Sequence, residues 1–134
     1  MTYNDVMLRN ALLADISEIK NIPAKAMTET LLLRVHYGKL QNEFVSAREA
    51  ILKDEQADEG AKNKALEEKA NEVIEGERKM SKEAFEQIVE SAMAHQTIKS
   101  WIVVNPEAEG DERRGEIPTE QWLMNFAGNL VENY

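Results

Sequence analysis

Between Pro23 and Glu55, apolar side chains return at a spacing that suits one conformation. Leu33, Tyr37, Leu40, Phe44, Ala47 and Ile51 follow one another at intervals of 4, 3, 4, 3 and 4. That is one face of an α-helix, sustained for about five turns. Leu32, Val35, Val45, Arg48 and Leu52 flank the stripe and broaden it. A helix over this stretch is about 45 Å long at about 1.5 Å per residue. It cannot bury its own stripe, so other parts of the chain must cover it.

The remaining segments are read around that helix. Residues 4–20 carry Leu8, Leu12, Ile16 and Ile19 on one face, with Asn4 as N-cap and Asp5 in the first turn. Pro23 disfavours helical geometry at Ile22 and suits the first turn of the long helix. Gly38 sits inside that helix and costs about 1 kcal/mol relative to alanine; it marks either a close backbone crossing or a tolerated flaw. Asp54–Gly60 is a polar break with Asp58 as the next cap, and its shortness implies antiparallel neighbours. Residues 60–79 read as the returning helix, thinly apolar at Leu66, Ala70, Val73 and Ile74. Ser81 caps a further amphipathic segment bearing Ala84, Phe85, Ile88, Val89, Ala92 and Met93. Gly76–Ser81 is either a kink or a true break.

At Thr97–Val104 the composition turns β-branched and aromatic, the pattern of a strand. A lone strand leaves its ladder groups unpaired. Either a second short piece within 105–118 pairs with it, or a partner chain does. Residues 105–116 form a polar loop, and Ile117–Pro118–Thr119 opens a final helix with Trp122, Phe126 and Leu130 in line. The fold class expected is mainly α: a long antiparallel helical hairpin with a short N-terminal helix and a C-terminal strand-loop-helix tail. Residues 1–134 form a single domain, with 1–96 as the hairpin body and 97–134 as the tail.

Composition limits the chemistry. The chain has no cysteine, which removes disulfides, thiol catalysis and Cys-based zinc. No apolar run approaches the roughly 18 residues of a membrane span, and no basic segment followed by an apolar core suggests a secretory leader. The net charge of −9 is unevenly placed. Residues 1–53 carry seven Lys/Arg against six Asp/Glu, whereas 54–90 carry twelve acids against six bases. Such a chain does not bind a phosphate backbone by bulk electrostatics. Its acidic half is either a solvated helix face or a surface for a basic protein.

A search for catalytic constellations finds none. His36 and His95 are the only histidines, and neither lies in a metal-ligand spacing. Glu86 and Glu90 share a helix face, but no histidine follows three residues after either, as a di-metal bundle would want. Ser46, Ser81, Ser91 and Ser100 stand in no nucleophile motif. Trp101 and Trp122 lack interleaved bases other than Lys99, so core packing suits them better than base stacking. Neither a cofactor nor a metal is expected, and the chain reads as non-enzymatic.

One resemblance bears on function. A short amphipathic helix is followed by Pro23 and Lys25, then by a long helix with Leu32, Arg34, Lys39, Leu40, Glu43, Arg48 and Leu52. An acidic helix with Phe85, a strand around Ile98, Ile117–Pro118 and a last helix with Leu123 come after. This order resembles small uncharacterised helical-hairpin proteins encoded in tailed-bacteriophage structural gene clusters. Thr28–Glu29 stands where typical members have Ser-Tyr. The resemblance implies a virion or assembly component in the particle or the host cytoplasm, with other protein chains as partners: virion proteins or further copies of itself. On that reading, residues 97–131 dock by strand addition and helix packing through Trp101, Ile102, Val103, Arg113, Arg114, Trp122 and Phe126. The alternative is an acidic inhibitor that mimics nucleic acid, with Glu68/Glu72/Glu75 and Glu83/Glu86/Glu90 set against a basic site on a host protein.

Overall fold

A computed structural model describes residues 1–134. The chain is mainly helical. In order it forms α1 (Tyr3–Asp15), α2 (Ala24–Leu52), α3 (Glu59–Ala70), α4 (Lys82–Ala92), β1 (Thr97–Val104), β2 (Arg114–Pro118) and α5 (Thr119–Leu130). Short 3-10 turns follow α1 at Ile16–Glu18 and precede β2 at Gly110–Arg113.

The cap of α1 is Thr2 rather than Asn4. The Thr2 hydroxyl accepts from the Asp5 backbone N–H at 3.2 Å, while the Asp5 carboxylate accepts from the Thr2 N–H at 2.8 Å. Two otherwise unpaired donors are thereby satisfied together. The α-helix ends at Asp15, short of residue 20, and Asn21 then takes a positive φ of 63°. Asparagine tolerates that left-handed geometry better than most residues. Pro23 stands at the N-cap of α2, one position outside the helix proper.

On α2, Leu33, Tyr37 and Phe44 are buried, with Leu40, Ala47 and Ile51 half-buried. Of the five flanking residues Val45 is half-buried, whereas Leu32, Val35, Arg48 and Leu52 are exposed and do not broaden the stripe. Val35 lies roughly 200° round the helix from Leu33 at about 100° per residue, beyond the reach of the covering elements. Gly38 has no neighbouring atom within 4 Å of where a Cβ would sit, so no backbone crosses there.

Asp58 caps α3 through the Ala61 N–H at 2.7 Å. Near the start of α3, Lys62 donates to the Leu52 carbonyl at 3.1 Å. Just past its end, Asn71 accepts from Asn4 at 3.0 Å, beside the point where the Tyr3 ring meets Phe44. The helix stops at Ala70 and does not run to residue 79. From Asn71 to Met80 the chain is non-helical, so the Gly76–Ser81 ambiguity resolves as a break. Gly76, with φ of 99°, takes a conformation that a side chain would strain. The backbone of this segment finds its partners elsewhere. Ile74 N–H donates to the Met1 carbonyl at 2.8 Å, Met80 N–H to the Leu130 carbonyl at 2.5 Å, and Glu132 N–H to the Met80 carbonyl at 2.9 Å.

Strand β1 occupies the expected residues and pairs antiparallel with β2 of the same chain. Thr97, Ile98, Lys99 and Ser100 face Pro118, Ile117, Glu116 and Gly115. The register then slips, so that Val104 faces Arg114. Gly115 permits the slip, because a Cβ there would lie 2.6 Å from the Val103 carbonyl oxygen. Strand addition to a partner is thus not what satisfies this ladder. One cluster of 21 buried residues takes members from α1, α2, α4, both strands and α5. Residues 1–96 and 97–134 thus contribute to the same core.

Candidate docking face

Two buried polar centres tie the elements together, and the first of them places residues expected to dock. Asp15, fully buried at the end of α1, takes Ser100 Oγ at 2.5 Å and Trp122 Nε1 at 3.1 Å on one oxygen, and the Trp101 N–H at 3.1 Å on the other. Burial pushes its carboxyl above the ordinary value, against the pull of those three bonds and of nearby Arg114. This centre ties α1 to β1 and α5. The second centre is Arg9, which donates to Tyr37 Oη at 3.0 Å and to Glu77 at 3.0 Å. Tyr37 in turn donates to the Arg78 carbonyl at 2.5 Å and accepts from its N–H at 2.9 Å. Arg9 holds the Glu77 carboxyl below its usual value. Arg9 thus fastens the extended segment to α1 and α2.

Trp122 and Phe126 are fully buried, with ring centroids 5.1 Å apart, and Phe126 stacks on Phe85 at 6.0 Å. They are core residues rather than docking residues. Trp101 is half-buried under the Arg114 guanidinium, 5.2 Å from its ring centroid, and Arg114 bonds Glu18 at 2.8 Å. Ile102 packs half-buried against the core. Of the seven, Val103 and Arg113 alone keep exposed side chains.

Beyond Val103 and Val104 on β1, further exposed apolar surface lies on the helices. Between α4 and α5 runs a groove of about 630 Å³. Phe85, Val89, Leu123 and Ala127 form its floor, with Met93, Met124 and Tyr134 at 64%, 70% and 60% exposure. Glu120 is the one charged residue in its lining. Exposed Glu86 and Glu90 stand on α4 immediately after Phe85 and Val89, and Lys82 closes one end over the Tyr134 ring at 5.5 Å. Gly128 has open space where a Cβ would sit, so a partner can approach the α5 backbone there. Methionine side chains are flexible and polarisable, suited to surfaces that meet another protein.

A second apolar feature lies on α2. Met27, Leu31 and Val35 are exposed on the side turned away from Leu33 and Tyr37, while exposed Leu32 lies between the two sides, in a hollow it shares with Leu33, Glu77 and Glu132. Exposed Arg34 and Lys39 flank them. From Ala24 to Lys39 no acid is exposed: Glu29 is half-buried and accepts the Ser81 N–H at 2.9 Å and Ser81 Oγ at 2.8 Å. In a chain of net charge −9 this strip stands apart. The sequence held part of the signal, since Met93 falls in the α4 stripe and Leu32 and Val35 flank that of α2. Nothing in it marked Met124, Gly128 or Tyr134, which matter through their position beside α4.

No group of three or more His, Asp or Glu side chains is placed to hold a metal ion. No helix is long and apolar enough to cross a membrane. No family model, curated protein or solved structure matches the chain.

Proposed function

We propose that this chain is a non-enzymatic structural or assembly protein of a tailed-phage particle, working by protein–protein docking. The observation that carries the reading is the α4–α5 groove, where Met93, Met124 and Tyr134 are left largely exposed around a buried apolar floor. Contiguous exposed apolar surface of this kind marks interaction sites. The resemblance to proteins of phage structural gene clusters supplies the setting. In this reading α2 and α3 act as the long antiparallel hairpin, with α1 as the short helix beside it. Mass spectrometry of purified particles from the encoding genome tests the proposal. The chain is expected in mature particles or assembly intermediates, and Met124→Glu is expected to reduce its incorporation. Absence from both kinds of particle overturns the reading.

A second reading, an acidic inhibitor, is favoured by one observation. None of the residues of α3 is buried, and its Glu59, Glu67 and Glu68 are exposed without an ion pair. Competition with DNA for a basic host protein is its test, and failure to compete removes it.

A further inference from the structure

We propose that the occupant of the α4–α5 groove is the α2 ridge of a second copy, so that the chain associates with itself head to tail. The inference rests on the docking reading and names the partner. The two surfaces match in shape and sign. The ridge is convex, with Met27, Leu31 and Val35 exposed in line, the bases Arg34 and Lys39 on its two sides, and no exposed acid of α2 between Ala24 and Lys39. The groove is concave and apolar, with exposed Glu120 in its lining and exposed Glu86 next to Phe85 on α4. Its one base, Lys82, is already engaged with the Tyr134 ring at the end of the groove. Apolar side chains meet apolar floor, and the bases of one copy meet the acids of the next.

Within one molecule the two cannot meet. The core-facing side of α2 holds Ala26 and Leu33, and the Ala26 N–H bonds Gln87 of α4 at 3.2 Å. The ridge is on the opposite side of α2, and the groove is on the α5 side of α4. Each copy therefore presents one ridge and one free groove. Such a heterologous contact closes into a ring or runs on as a filament, according to the rotation between copies. Gly38 beside the ridge and Gly128 in α5 both have open space at the missing Cβ, which lets the two backbones approach closely. A stable interface covers about 800 Å² on each partner. A single ridge in a single groove lies towards the lower end, and concentration-dependent association is the behaviour to look for.

Sedimentation velocity on the full chain, over roughly 1–500 μM, reads this directly. The wild type is expected to rise above the 15.2 kDa monomer with concentration, and to do so less at high salt. Val35→Glu on the ridge and Met124→Glu in the groove change exposed side chains, so unchanged melting verifies that each folds. Each alone is expected to shift association to at least about tenfold higher concentration, the size of a loss of about 1.4 kcal/mol. Mixed one to one, each variant has one intact surface, and the mixture is expected to form a species that stops at the dimer. A wild type that stays monomeric throughout, or a mixture no better than either variant alone, overturns the proposal. Particle incorporation separates the two levels. If the wild type is monomeric while Met124→Glu still loses incorporation, self-docking is wrong and docking to another protein stands; if incorporation is also unchanged, both readings fall.

Discussion

Replacing Asp15 by asparagine tests the buried centre that joins α1 to β1 and α5. The native carboxyl meets three donors, Ser100 Oγ, the Trp101 N–H and Trp122 Nε1. Ionised, it accepts from all three. Protonated, it still serves all three: the acid O–H turns to Ser100 Oγ, and both oxygens keep lone pairs for the two N–H groups. An amide cannot do this. With its oxygen towards Trp101, its NH₂ group suits Ser100 but faces the Trp122 N–H with no lone pair to offer. Reversed, it faces the Trp101 N–H instead. One buried donor is orphaned either way, at about 1–3 kcal/mol. Melting should fall by about 3–5 °C per kcal/mol, between the values for smaller and larger domains.

The pH dependence has a definite sign. Burial raises the folded-state value of Asp15 above its ordinary 3.8. The folded chain thus binds this proton more tightly than the unfolded chain, and the group's contribution to stability falls as pH rises through that window. The Asn variant lacks this loss, so its deficit is largest at the acid end and shrinks towards neutral pH. Urea unfolding followed by tryptophan fluorescence measures it at each pH. In a Trp122→Phe background the orphaned donor is gone, and the Asn substitution should cost about 1–2 kcal/mol less, a coupling of ordinary size for touching residues. A deficit that grows with pH, or the absence of coupling to Trp122, refutes the reasoning.

Three further outcomes are expected. Gly115→Ala places a Cβ 2.6 Å from the Val103 carbonyl oxygen and should destabilise by about 1–3 kcal/mol, as overpacking does; thermal melting checks it. Phe44→Ala, which removes a buried ring 5.3 Å from the Tyr3 ring, should cost about 3 kcal/mol, the low end for such a deletion because the site lies outside the main core; urea unfolding measures it. By hydrogen exchange, α3 should open before α4, since α3 buries no residue while α4 buries Ala84, Phe85, Ile88 and Ala92.

Where a segment carries its own periodicity, the sequence was readable. Strand β1 stands at Thr97–Val104 as its β-branched run indicated, and Asp58 and Ser81 cap the helices they precede. The partner of that strand was hidden because Arg114–Gly115–Glu116 reads as polar loop; Ile117 alone is the buried member of β2. Trp122 and Phe126 were assigned to an interface because aromatic residues anchor interfaces, yet the same residue types fill cores. What decides between the two is the position of α4 and Asp15, which no local pattern reports. Asp15 itself falls in phase with Leu12 and Ile16 on the α1 stripe. An acid in that phase is the trace a buried polar centre leaves in a sequence. The α4–α5 groove was less legible still, since it exists through the spacing of two helices distant in the chain.

The extended segment from Asn71 to Met80 bears on the order of events during synthesis. It holds Met1 through Ile74 and residues 130–132 through Met80, while the Asp15 centre waits for Trp122, 107 positions later. The first helix therefore has no finished seat until nearly the whole chain has been made. Contacts this far apart in sequence slow folding, because loop closure precedes their reward. On the ribosome, the apolar stripe of α2 emerges long before α5 exists to complete the core. A nascent chain stalled before residue 119 should recruit holdase chaperones and resist refolding, and release of the last helix should be the step that commits the protein to its native state.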